Sequence, residues 1–161
     1  MSTNVNVTYE NHALNPDRPT IFVFTKNLVP TFDTLVDGVA WKIMPQIGKG
    51  SSSCFTYPIK TQVRAAWGDC NTTRTLEAQI GKRYTVVQDD TGIVLKPMGD
   101  ASQTTAIEIN SLVNVDGGIR AQLLKDGKVM MTKKIVAYGQ KATFVLHPKL
   151  YWGIASEIQE G

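Results

Sequence analysis

Histidine and cysteine supply many of the bases, nucleophiles and metal ligands of proteins, and this sequence of 161 residues holds only two of each. The histidines are His12 and His147, and the cysteines are Cys54 and Cys70. Their spacing does not supply the closely spaced ligand pairs of a zinc site. A hydrolase would have to depend on one of two histidines that we interpret as ordinary surface residues. We therefore predict no catalytic residue, no metal site and no cofactor, and a protein that is not an enzyme.

Two short motifs contain chemically suggestive residues in the wrong arrangement. Gly48–Ser51 has the letters of a phosphate-binding loop, but that loop must open a helix, and the residues that follow at 53–57 have the pattern of a strand. Asp89 and Asp90 are adjacent, whereas a calcium loop spreads its oxygen ligands over alternating positions. We interpret the first motif as a flexible loop and the second as a solvated hairpin turn.

The two cysteines leave an alternative open. Cys54 and Cys70 enclose a loop that a disulfide would close in an oxidising compartment, or both remain free thiols. The first residues, Met1–Asn4, have neither the basic nor the apolar region of a signal peptide. Localisation is therefore unknown, with the cytoplasm as the default expectation. No stretch approaches the ~20 apolar residues of a transmembrane segment.

Charge is distributed unevenly along the chain, although the net charge is only +3. The segment from Arg120 to Lys149 carries seven basic residues and one acid, whereas the segment from Asp89 to Gly118 carries five acids and one base. Lysines on exposed strands can simply suppress unwanted pairing. A basic face can also bind an anionic surface or a glycan, or the acidic segment of another copy.

Aromatic residues complete the predicted site. Alternation places the three tryptophans on apolar faces. Two tyrosines remain as surface candidates for stacking on a ligand: Tyr138, within the basic segment, and Tyr151, just after it. The predicted ligand-binding residues are Lys133, Lys134, Tyr138, Lys141, Lys149 and Tyr151. We expect a non-catalytic recognition module that binds a glycan or an anionic surface. The alternative is a self-assembling structural protein, a homo-oligomer, whose acidic and basic segments meet between copies. Nucleic acid is not an expected partner, because no recognised binding motif occurs.

The elements that must position these residues are strands. Apolar and polar residues alternate with a period of two between closely spaced turn signals, which is typical of antiparallel sheets. The dipeptide Asp126-Gly127 between two apolar runs predicts a two-residue hairpin turn. Only residues 31–37 could form a helix, of two turns at most. The sequence therefore predicts one all-β domain over residues 1–161, an antiparallel β-sandwich of lectin-like or immunoglobulin-like type.

The same alternation predicts which side chains form the core. We expect Trp41, Ile154 and one of Phe22 and Phe24 to be buried. Leu150 and Trp152 should share the apolar face of the last strand with Ile154.

Overall fold

The computed structural model describes residues 4–13, 20–29, 39–146 and 149–155. The predicted helix at 31–37 and His147 lie outside these described residues. Within them the chain forms fourteen strands, and the prediction of an all-β fold is confirmed. The strands are β1 (Val5–Glu10), β2 (Thr20–Phe24), β3 (Lys42–Met44), β4 (Ser52–Tyr57), β5 (Thr61–Trp67), β6 (Asn71–Thr72), β7 (Leu76–Ala78), β8 (Lys82–Asp89), β9 (Gly92–Asp100), β10 (Ala106–Ser111), β11 (Ile119–Lys125), β12 (Lys128–Val136), β13 (Lys141–Val145) and β14 (Tyr151–Ala155).

These strands form four sheets. Strands β1 and β4 make a two-stranded ribbon, and a three-stranded sheet has the order β14-β2-β3. A four-stranded sheet has the order β13-β10-β8-β9, and a five-stranded sheet has the order β12-β11-β5 with β6 and β7 both paired to β5. Every recorded pair is antiparallel except β8 with β10, which is parallel.

Two apolar clusters lie between the sheets. The larger joins the four-stranded and five-stranded sheets through residues such as Ile107, Leu123 and Phe144, which is consistent with a β-sandwich. The smaller consists of Ile21, Val23 and Met44 of the three-stranded sheet. The ring of Phe55 in the β1–β4 ribbon packs against both clusters, and the ribbon therefore connects them.

The hairpin predicted at Asp126-Gly127 is confirmed. Strands β11 and β12 pair as neighbours, and the two turn residues have positive φ angles of 53° and 73°. A turn with two such residues matches the twist of the strands that it joins, and glycine adopts this conformation without steric cost.

The core predictions are confirmed in part. Trp41 is 3% exposed, as expected. Phe22 and Phe24 are only half-buried, because the buried positions of β2 are Ile21 and Val23. The prediction for Ile154 is wrong, since its side chain is 68% exposed.

The position of Ile154 in the sheet explains its exposure. It is paired directly with Ile21, and Trp152 is paired with Val23, so alternation assigned both residues to the apolar face. Strand β14, however, ends the order of the three-stranded sheet and has one recorded neighbour, β2. A side chain on such a strand is covered from fewer sides, and Trp152 is accordingly also 41% exposed.

Cys54 and Cys70 are free and exposed, so no disulfide joins them. Among the described residues, no helix has the length and apolar character needed to cross a bilayer.

Candidate functional site

The six residues predicted as a ligand site lie in different parts of the fold. Lys133 and Lys134 belong to β12, at one end of the five-stranded sheet, and Tyr138 lies in the turn after it. Lys134 is exposed, and so is Tyr138, whose exposed fraction is 64%. These residues form the exposed β12 end together with Ile135, which is 66% exposed.

Lys141 takes part in a network with a buried carboxylate. Its Nζ lies 2.9 Å from Oε1 of Glu108, and Nε of Arg83 lies 3.0 Å from Oε2. The backbone N–H of Ser102 donates a further hydrogen bond to Oε1 at 3.0 Å. Burial raises the pKa of Glu108, but the hydrogen bonds from Lys141, Ser102 and Arg83 outweigh it and lower that pKa to about 2. Lys141 is therefore already ion-paired with a carboxylate of the same chain.

Tyr151 belongs to an aromatic group on the face of the three-stranded sheet opposite Ile21. Its ring stacks on Phe24 with centroids 5.5 Å apart, and Nζ of Lys26 lies 4.6 Å from the Tyr151 centroid. The separation is that of a cation–π contact. Tyr151 is thus half-buried, and a neighbouring lysine already contacts its ring.

Lys149, the sixth predicted residue, lies at a cavity of about 470 Å³. All four sheets contribute to this cavity, either through strand residues or through residues next to strands. The lining residues are Val5, Thr25, Tyr57, Ile59, Thr61, Ile80, Lys125, Met130, Met131, Leu146, Lys149 and Leu150. We refer to it as the Lys125 cavity.

Lys125 is the most unusual residue of this cavity. It ends β11 and is only 5% exposed. Its Nζ donates hydrogen bonds to the carbonyl oxygens of Pro58 and Ile59, at 2.8 and 2.9 Å, and lies 4.9 Å from the centroid of the Tyr57 ring. Burial lowers the pKa of Lys125 to about 8, because a charged amine is less stable away from water.

The residues around Lys125 make several further contacts. The Tyr57 ring packs edge-on against Trp41, with centroids 5.3 Å apart, and its hydroxyl lies 3.6 Å from Sδ of Met130. Burial raises the pKa of Tyr57 to about 12, so this phenol is neutral at physiological pH. The indole Nε1 of Trp41 donates a hydrogen bond to the carbonyl oxygen of Lys125 at 3.0 Å. Lys125 is therefore held by hydrogen bonds at both its backbone carbonyl and its side-chain amine.

Thr25 contributes a polar atom without a partner. The residue is 4% exposed, and its Oγ1 has no hydrogen-bond partner among the residues that the structure describes. Buried hydroxyl groups are usually hydrogen-bonded, since leaving one unpaired is unfavourable. Thr25 is a lining residue of the cavity, but its hydroxyl oxygen is shielded from solvent and therefore from a ligand in the cavity.

The mouth of the cavity is apolar. Three of its lining residues are large apolar side chains that are about half exposed: Val5 at 52%, Ile59 at 47% and Ile80 at 59%. Ile80 has the spacing of Leu76 and Ala78, but it lies beyond the end of β7 and remains open to solvent. Exposed apolar residues that surround an opening often mark a binding site.

Sequence reasoning did not identify Lys125 as a site residue, although a signal was present. Lys125 follows Ala121 and Leu123 at a spacing of two, and both of these residues are fully buried. The alternation therefore places the lysine on the core side of β11. A basic residue on an apolar face next to a tight turn marks this position in the sequence.

Chemistry that depends on clustered ligands has no support in the described residues. They contain no group of three or more histidine, cysteine or acidic residues that could hold a metal ion. His12 is exposed and lies 3.2 Å from the carboxylate of Glu10, as expected for a surface histidine.

Comparisons with known proteins add no relative. No protein-family model has a significant match to this chain, and neither does any curated protein or solved structure.

Proposed function

We propose that this protein is a non-catalytic recognition module that binds a small ligand, with an apolar body and an anionic group, in the Lys125 cavity. The observation that carries the proposal is the buried amine of Lys125, which contacts two carbonyl oxygens and an aromatic ring. No acidic residue is among the described residues that line the cavity. The expected partner is therefore anionic, in line with the excess of basic residues between Arg120 and Lys149.

The size and lining of the cavity support a small ligand. Small-molecule sites typically have volumes of roughly 300–1,000 Å³ and mostly apolar walls with a few polar groups. The Lys125 cavity has a volume of about 470 Å³, and seven of its twelve lining residues are aliphatic or methionine. This composition favours an alkyl or aryl body over a glycan.

The charged groups support an anionic head group. Lys149 is exposed beside the cavity, and Lys125 lies within it. Lys125 is cationic at pH 7 for most of the time, because its pKa is about 8. A carboxylate or sulfate would gain a charge interaction with these lysines.

Calorimetry with decanoate and with decanol tests the proposal. We expect decanoate to bind with one-to-one stoichiometry and decanol to bind at least tenfold more weakly, because it lacks the charge. Ile80→Glu places an acid at the apolar mouth and should weaken decanoate binding by tenfold or more. Ile135→Glu is the matched control, since Ile135 is equally apolar and exposed but lies outside the cavity lining.

A second pair of variants separates the cavity from the β12 end. Lys149→Ala should weaken decanoate binding severalfold, whereas Lys134→Ala should leave it unchanged. The opposite result, or equal binding of decanoate and decanol, would contradict the cavity as the anion site. The predicted glycan or anionic-surface site at Lys133, Lys134 and Tyr138 would then be the candidate site. A Lys133→Glu/Lys134→Glu variant tests that site directly.

Self-assembly is a second candidate function, favoured by one observation. Strand β14 has one recorded neighbour and exposes Trp152 and Ile154 on its apolar face. Strands of this kind can pair with a second copy of the chain. Light scattering should then give a mass above that of the monomer, and Ile154→Lys should restore the monomer. Because this contact is apolar, high salt should preserve it, whereas it would dissociate a contact between acidic and basic segments.

A further inference from the structure

We propose that Lys125 captures apolar aldehydes in its cavity as a reversible imine. The inference rests on the proposed function, because it requires the cavity to admit a ligand with an apolar body. It names a second ligand class for the same cavity, held by a covalent bond instead of a charge.

The contacts of Lys125 differ from those of the ion-paired lysines. In the described part of the chain, a carboxylate oxygen lies within 3.4 Å of Nζ in Lys60, Lys82, Lys96 and Lys141, among others. A carboxylate stabilises the protonated amine, which is not a nucleophile. The recorded contacts of Lys125 are the carbonyl oxygens of Pro58 and Ile59 and the face of Tyr57. A neutral amine can still donate both of these hydrogen bonds, although an ammonium donates stronger ones.

Those two hydrogen bonds also orient the amine. A neutral amine has two N–H bonds and one lone pair. When both N–H bonds point to the carbonyl oxygens of Pro58 and Ile59, at 2.8 and 2.9 Å, the lone pair is the position that remains for an electrophile. The side chain lines the cavity, where an aldehyde carbon would meet it.

Burial provides the reactive protonation state at neutral pH. With a pKa of about 8, about one Lys125 side chain in ten is neutral at pH 7. An ordinary lysine, whose pKa is about 10.4, is neutral in fewer than about one in a thousand. Enzymes that form Schiff bases activate lysine in the same way, by desolvation in an apolar pocket.

The reaction balances without a further reactant. The Nζ lone pair attacks the aldehyde carbon, a proton passes from nitrogen to oxygen, and the resulting carbinolamine loses water to leave a C=N bond.

Reductive trapping on the unmodified protein tests the inference. The full chain is incubated with decanal and cyanoborohydride at pH 7.5. The reagent transfers hydride to the imine carbon, and water supplies the proton that nitrogen takes up. Intact-mass measurement and peptide mapping then locate the decyl group. We expect the decyl group to form on Lys125 at least tenfold faster than on the exposed residues Lys134 and Lys149. Excess decanoate should protect Lys125, and Lys125→Arg should abolish the fast labelling.

The outcomes separate this inference from the proposed function. Labelling of Lys134 and Lys149 at rates equal to or above that of Lys125 overturns the imine. If calorimetry shows decanoate binding in the same preparation, the recognition proposal stands alone. If Lys125 is labelled selectively but decanoate neither binds nor protects, the cavity admits aldehydes and the anionic ligand is wrong. Because the decisive readout is the map of the unmodified chain, misfolding of the Lys125→Arg variant would not affect it.

Discussion

The indole of Trp41 donates a hydrogen bond to the carbonyl oxygen of Lys125, 84 residues later in the chain, with an Nε1–O distance of 3.0 Å. Trp41 belongs to the larger apolar cluster, and Lys125 is the last strand residue before the Asp126-Gly127 turn. The same lysine holds the backbone of Pro58 and Ile59 through its amine. One residue therefore connects the core, a hairpin and the segment that borders the cavity.

Replacing Trp41 tests this connection. We expect Trp41→Ala to lower the free energy of unfolding by about 3–5 kcal/mol, through the lost aromatic volume. Trp41→Phe should lower it by about 1–3 kcal/mol, because the buried carbonyl of Lys125 loses its donor. Urea denaturation measures both changes. Trp152→Phe, at a tryptophan that is 41% exposed, is the control and should change stability by less than about 1 kcal/mol. Equal effects of Trp41→Phe and Trp152→Phe would contradict the role of the hydrogen bond.

The pKa of Lys125 predicts a rise in stability at alkaline pH. Its folded value is about 8 and the ordinary value is 10.5, so between these values the unfolded chain binds a proton that the folded chain has released. The free energy of unfolding should therefore increase between about pH 8 and pH 10, by up to about 3 kcal/mol when the titration is complete. Urea denaturation at pH 7, 8, 9 and 10 measures the slope.

The control for this titration is Lys125→Met, which should flatten the increase. Tyr57 and Lys149 are the other titratable residues of the described lining, while Asp126 and Lys60 are chain neighbours of Lys125 and of its carbonyl partners. Tyr57 does not interfere below pH 10, because burial raises its pKa to about 12. A rise of the same size in the Lys125→Met variant would assign the effect to another group.

Glu108 predicts a loss of stability in acid. Its folded pKa is about 2 against an ordinary value of 4.5, so its contribution is complete above about pH 4.5 and is lost as the pH falls towards 2. The contribution is at most about 3 kcal/mol, since one pKa unit corresponds to about 1.4 kcal/mol. Thermal melts between pH 2 and pH 6 measure it. Glu108→Gln should reduce the difference in melting temperature between pH 2 and pH 6. Glu10→Gln, at an exposed carboxylate, should leave that difference unchanged. Parallel curves for the wild type and Glu108→Gln would contradict the prediction.

Gly153 is required by a close approach between strands. It is paired directly with Phe22, and a Cβ at this position would overlap the end of the Phe22 ring. Gly153→Ala should therefore lower the free energy of unfolding by about 1–3 kcal/mol. Adding Phe22→Leu should recover part of this loss, because the shorter side chain makes room for the methyl group. A double-mutant cycle measured by urea denaturation gives the coupling between the two positions.

The matched control for Gly153 is Gly48→Ala. A Cβ at Gly48 would meet nothing within 4 Å. This variant should change stability by no more than about 0.5 kcal/mol. Additive effects of Gly153→Ala and Phe22→Leu would show that the methyl group and the ring do not compete for space.

The sequence by itself determined the class of fold and its local turns. Period-two alternation requires strands whose two faces differ, because successive side chains point to opposite sides of a pleated backbone. The positive φ angles of Asp126 and Gly127 followed from the residue types alone, since glycine has no Cβ to oppose them. These properties depend on neighbouring residues, and they could be predicted without knowledge of the tertiary structure.

Only the tertiary structure decided which apolar faces are covered and which charges are buried. Ile154 lies on the face that alternation assigned to it, yet it is exposed because β14 has one recorded neighbour in its sheet. Lys125 belongs to a segment rich in lysine, yet its amine is buried against the backbone of Pro58 and Ile59, more than 60 residues earlier. Coverage by distant segments sets the solvation of a side chain. Its pKa therefore depends on contacts that local periodicity does not contain.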